Sequence, residues 1–181
     1  KLSLTLASQP TALHIDPAQD VFRRLLPGEA PPILRDVTLA SNTTTIVTAA
    51  DPAMNRIARQ LAGRLLDTRV QLKDRAAELK ATPLLIIGTT QEVEAALARH
   101  GLAGIPAKLA GRGTARVWTA YWQGDLPLLA VAADNSQALG ALLRPLPHYG
   151  SRSYLVFDGR RAIDKGVWPA TRSPLSHRFN R

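Results

Sequence analysis

Leu84-Leu85-Ile86-Ile87 is an unbroken apolar run, closed by Pro83 before it and Gly88 after it. Bounded so tightly, it reads as a strand buried on both faces. Such a strand needs a covering layer above the sheet and another below it. The flanking sequence supplies candidates for both. Asp51-Pro52 is a cap followed by proline at the first helical position. Met54, Ile57, Ala58, Leu61 and Leu65 then recur at helical spacing over 52–66. Downstream of the run, Thr89 with Glu92 forms a capping-box pattern. Val93, Ala96 and Leu97 follow on one helical face, up to the stop at His100-Gly101.

The same alternation extends both ways. Thr45 to Ala49 is a β-branched strand, and Val70 and Leu72 mark a short one. Residues 103–113 form a Gly-rich loop. The strand 114–122 turns at Gln123-Gly124-Asp125 and returns over Leu128 to Ala132. Asp134 is a cap for a third helix carrying Leu139, Leu142 and Leu143. Tyr154 to Phe157 and Ala162-Ile163 form a last hairpin around Asp158-Gly159. The prediction is an α/β fold with helices packed on a mixed sheet, in a Rossmann-like layout. A short N-terminal β arm and a C-terminal hairpin complete it. In the arm, Leu2, Leu4 and Leu6 alternate as a strand, and Thr11 to Ile15 is its antiparallel neighbour. Asp16-Pro17 then opens a short helix with Val21, Phe22 and Leu25. Residues 1–36 are expected to be an arm or the end of a preceding β domain. Residues 43–168 are the α/β domain, and 169–181 a loose basic tail.

The 181 residues are 45% hydrophobic and 20% charged, ordinary for a folded domain, so disorder is not the main state. There is no cysteine, which excludes disulfides, thiolate zinc sites and cysteine nucleophiles. That absence fits either a cytoplasmic or a periplasmic setting. No apolar run approaches about 18 residues, so no membrane-spanning helix is expected. The chain begins at Lys1, and reads as an excised or processed piece of a longer protein. The net charge is +9. Eight cations between Arg144 and Arg181 face only Asp158 and Asp164. This excess suits a nucleic acid, an anionic lipid or an acidic surface, or simply a solvated face. No recognition-helix pattern accompanies it, so no nucleic-acid partner is expected.

Few residues suggest chemistry. His14, His100, His148 and His177 lack the regular spacing of a zinc site, so no metal ligand is assigned. Gly150-Ser151-Arg152-Ser153 lies near His148 but lacks a nucleophile elbow, so no catalytic residue is assigned. Gly88, Thr89 and Thr90 lie where a strand enters a helix, a place whose amides can hold a phosphate. The competing reading is a plain Thr cap. No Lys or Arg lies between Lys80 and Arg99, so a cation for a phosphate must come from elsewhere in the fold. Gly111-Arg112-Gly113 precedes a strand, the wrong context for a dinucleotide. Trp118 and Trp122 share one strand face, with Tyr121 on the other. If exposed, the pair can stack on a sugar or base; otherwise it is core.

Two segments carry a family likeness. One is Pro10-Thr11-Ala12-Leu13-His14-Ile15-Asp16-Pro17 with Val21 to Leu25 and Glu29-Ala30-Pro31-Pro32. It resembles the end of the β-sandwich domain in bacterial zinc aminopeptidases of the aminopeptidase N (gluzincin) type. The other, Leu146-Pro147-His148-Tyr149-Gly150-Ser151-Arg152-Ser153 through Gly159, then Lys165 to Pro169, resembles the far C-terminal segment of some of those proteins. The two bracket nearly the whole chain. The family's H-E-x-x-H ligands are absent, so no catalytic residue carries over. The resemblance implies a non-catalytic C-terminal accessory domain without a cofactor of its own. Its partner would be the rest of its polypeptide, the peptidase and β-sandwich domains of a zinc metallopeptidase. The middle, 43–143, is also similar in layout to small α/β accessory domains of some glycosidases. A small phosphate- or sugar-binding module is the alternative.

Overall fold

A computed structural model of the chain describes residues 3, 5–16, 20–21, 29–68, 70–73, 81–169 and 175–179. In chain order they hold β1 (Ala12–His14), α1 (Leu34–Thr38), β2 (Thr44–Val47), α2 (Pro52–Leu65) and β3 (Gln71–Lys73). Then come β4 (Leu84–Thr89), α3 (Thr90–Arg99), β5 (Ala115–Trp122), β6 (Leu126–Ala133) and α4 (Ser136–Ala141). A 3₁₀ turn over Leu146–Tyr149 leads to β7 (Tyr154–Asp158), β8 (Arg161–Gly166) and β9 (Ser176–Arg178). The chain divides into two units, residues 32–168 and residues 1–31 with 169–181.

In the larger unit, seven strands form one sheet in the order β3-β2-β4-β6-β5-β7-β8. Strands β3, β2, β4 and β6 are parallel. Strand β5 is antiparallel to both β6 and β7, and β8 is antiparallel to β7. The change of pattern follows from the connections. Helix α2 returns the chain for a parallel pairing, whereas the short turn at Gln123-Gly124 can only reverse it. The fold is α/β, with helices packed on a mixed sheet.

The apolar run sits in β4 as its pattern requires, with all four side chains buried. Leu85 and Ile87 join Met54, Ala58 and Leu61 of α2 in one core layer. Leu84 and Ile86 join Val93 and Leu97 of α3 in the other. Burying each such side chain contributes roughly 1.5–3 kcal/mol. Asp51 caps α2 by accepting the Met54 amide at 2.7 Å, with Pro52 at the first helical position. The cap of α4 differs from the expectation. Asn135, not Asp134, accepts the Ala138 amide, at 2.9 Å. Asp134 is drawn away to a buried guanidinium.

Residues 34–36 were expected in the arm, but they open α1 (Leu34–Thr38) of the larger unit. Leu34 and Val37, one helical turn apart, are buried there. Arg152 O accepts the Leu34 amide at 2.8 Å, and Gly150 O the Arg35 amide at 2.9 Å.

In the smaller unit, β1 pairs with β9, antiparallel, with Leu13 opposite His177. Ser176 Oγ lies 2.8 Å from His14 Nδ1. The expected partner was the Leu2–Leu6 strand. Leu2 and Leu4 fall outside the described residues, and the observed partner comes from the stretch read as a loose tail. Alternation in 176–178 is too short to register as a strand by itself. The expected helix after Asp16-Pro17 falls largely outside the described residues; Asp16 Oδ1 does accept the Asp20 amide at 2.7 Å.

Candidate functional site

The parallel half of the sheet has one topological switch point. From β2 the chain moves outward to β3, and from β4 it moves the opposite way, through α3 to β5, which turns back into β6 beside β4. Ligands of open α/β sheets bind beyond the carboxyl ends of strands at such a point. Here that place lies between the residues after β2 and the Gly88-Thr89-Thr90 turn, so three of the five sequence-derived candidates meet there.

The geometry closes it. Thr48 N and Oγ1 donate to Ile87 O, at 2.9 and 3.2 Å. A Cβ on Gly88 would lie 1.9 Å from Thr48 Oγ1, so glycine is what lets the two strand ends touch. Beside them lies the Glu92 carboxylate. Its Oε1 accepts the Ala50 amide at 2.7 Å. Its Oε2 accepts the Thr89 hydroxyl at 2.8 Å and the Thr89 amide at 3.3 Å. Thr89 Oγ1 in turn accepts the Glu92 amide at 3.3 Å, completing a capping box. The donors that would hold a phosphate hold the chain's own anion.

A cation does arrive from elsewhere. Arg116 of β5 donates from Nη2 to Thr90 Oγ1 at 2.7 Å. It also donates from Nη1 to Gly113 O at 2.9 Å and Arg112 O at 3.2 Å. Asp134 forms an ion pair with its Nη2. The residue is 5% exposed, and its Nε is buried without a hydrogen-bond partner. The guanidinium is neutralised internally and ties the ends of β4, β5 and β6 together. Sequence reading missed it. The available signal was its period-two spacing from Trp118, which puts a charge on the tryptophan face.

Trp118 and Trp122 share a face as expected, but neither offers it to a ligand. They are 2% and 5% exposed and pack with Ile46, Leu84, Ile86 and Leu128. Trp122 Nε1 donates to Thr82 O at 3.1 Å. The Gly-rich loop covers this layer through the buried Leu109. Both rings are core because that sheet face is roofed by α3 and the loop, so the stacking reading is corrected. Tyr121 points to the other face and stays partly exposed.

Among the described residues, no three His, Asp or Glu side chains group as metal ligands. His100 caps the C-terminus of α3, and His148 lies in the 3₁₀ turn. Ser153 is buried and its Oγ has no partner, so it is no nucleophile for His148. Asp164 is ion-paired with Arg112 at 2.6 Å. The hydrogen bond from Arg112 first, and the charges of Arg112 and Lys108, hold its carboxyl below the usual carboxylate range. No helix among the described residues is long and apolar enough to cross a membrane.

The closed switch point makes a quantitative prediction. Thr89→Ala should cost about 1 kcal/mol, the usual worth of a cap. Glu92→Ala should cost about 2 kcal/mol, because it also removes the charge-assisted bond to the Ala50 amide. Denaturant melts measure both losses, and equal costs for the two variants would show that the bond to Ala50 contributes nothing.

Compared with known protein families, the chain matches no family model, and no curated protein matches its sequence.

Proposed function

We propose that residues 32–168 are a non-catalytic accessory domain in the C-terminal part of an aminopeptidase-like metalloprotein. Its work is to pack against, orient or tether the catalytic part. One observation carries this reading. The segments that enter and leave the unit are fastened to the same residue, Thr119 in the middle of β5. Thr119 Oγ1 donates to Pro32 O at 2.5 Å, and Thr119 O accepts from Trp168 Nε1 at 2.9 Å. A domain whose ends lie together can be placed within a longer chain at little cost to its neighbours.

The closed switch point and the buried tryptophans also support a structural role, since both places named for a phosphate or sugar are filled from within. The Rossmann-like layout is proposed for the parallel half alone, where α2 and α3 cover opposite faces. The partner is the rest of the polypeptide, its peptidase and β-sandwich domains. Exposed Arg161 solvates the surface in this reading, and no nucleic acid is needed.

The test is to express residues 32–168 beside the full chain. The fragment should melt cooperatively, within a few degrees of the full chain's main transition. Neither protein should hydrolyse an aminoacyl amide or hold stoichiometric zinc. An unfolded fragment would remove the basis for a self-contained domain. One zinc per chain, lost on mutating His148, would overturn the non-catalytic reading.

A further inference from the structure

A groove remains open on the carboxyl edge, away from the switch point. Strands β6 and β7 run the same way, because β5 between them is antiparallel to each. Their carboxyl ends flank a cavity of about 540 Å³, lined by Thr114, Asn135, Gln137, Asp158 and Arg160 over a floor that includes Ala138. That volume falls in the range of small-molecule sites, roughly 300–1,000 Å³.

The lining is held in place by its own bonds. Thr114 Oγ1 accepts the Gly159 amide at 3.0 Å, and Thr114 N donates to Phe157 O at 2.7 Å. This fixes the turn that carries Asp158 and Arg160. Asn135 uses Oδ1 on its helix, which leaves its amide N–H groups as donors. Among the described residues, Asp158 and Arg160 enter no ion pair.

We infer that this groove binds a small zwitterion of the α-amino-acid class. Asp158 would take the ammonium, Arg160 the carboxylate, and the amides of Asn135 and Gln137 the remaining polar atoms. The lining disfavours the other classes. No aromatic ring is present to stack on a sugar. A phosphate dianion would meet the Asp158 carboxylate. A zwitterion satisfies an acid and a base on one turn without leaving either unpaired. Both charges are exposed and screened, so the expected Kd is millimolar. This inference does not depend on the accessory-domain proposal: the groove can bind or fail to bind whether or not the domain is catalytic.

The experiment titrates ¹⁵N-labelled full-length chain with L-alanine and follows backbone amides by NMR. Acetate, methylammonium, glucose and inorganic phosphate serve as comparison probes. Saturable shifts at Gly159, Arg160 and Ala138 are expected with alanine. Acetate and methylammonium should each bind weaker by about threefold, having lost one exposed charged contact. Asp158→Asn and Arg160→Gln should each weaken alanine binding by about threefold while leaving the melting point unchanged, since both residues are exposed. No saturable shift with alanine, equal binding in the variants, or tighter binding of glucose or phosphate would each overturn the assignment.

Discussion

Trp118→Ala should cost the protein about 4 kcal/mol, within the span for truncating a buried aromatic. The ring projects from β5 into the core layer that α3 and the Leu109 loop cover, with 2% of the residue's surface exposed. Its removal leaves a cavity that the surrounding strands cannot close, because their backbones are fixed by pairing on both sides. Trp118→Phe should cost about half as much, since part of the volume is kept. Denaturant melts with and without added sugars give the measurement. A loss below about 1 kcal/mol would place the ring at the surface. So would a sugar-induced rise in melting point that the variant lacks.

Trp118 also marks where sequence reading reaches its limit. Period-two spacing put Trp118 and Trp122 on one face, and they share it. Spacing does not say what covers that face. The cover comes from α3 and from a Gly-rich loop in which Leu102, Ile105 and the buried Leu109 face the core, but whose Gly and Pro residues keep that spacing from reading as a helix. The parallel core was legible because Leu84 to Ile87 is apolar at every position and because Asp51 and Thr89 cap their helices locally. Contacts within a few residues are written in the chain; contacts across it are not. Arg116 lies 26 residues from Thr90 and 18 from Asp134, and only strand order brings the three together. Asp134 was misread as a cap for the same reason. Asp and Asn are both good caps, and the distant guanidinium decides which of the adjacent pair turns inward. The pairing of β1 with β9 spans most of the chain and carries no local signal. The open groove escaped notice as well, because Asn135 and Asp158 become neighbours only through β5.

Gly113→Ala should cost about 3 kcal/mol, and Gly111→Ala only about 1 kcal/mol, although the two belong to the same G-x-G. Both have positive φ, +68° at Gly111 and +60° at Gly113, so both pay for a left-handed alanine. They differ in what surrounds them. A Cβ at Gly111 meets nothing within 4 Å. A Cβ at Gly113 would sit 2.3 Å from Phe157 O and 2.8 Å from Val156 Cγ1. Phe157 O is a backbone atom paired with the Thr114 amide at 2.7 Å, so it cannot swing aside. Gly113 O also accepts from Arg116 Nη1 at 2.9 Å, so displacing this segment disturbs the buried guanidinium. Gly113 is therefore a packing device that brings the loop against β7, whereas Gly111 serves only the turn. Urea melts of the two single variants measure the difference directly. Equal losses would mean that the approach to Phe157 is not as close as 2.3 Å implies. A larger loss at Gly113, with loosening seen at the Arg116 and Thr90 amides in hydrogen exchange, is the expected result.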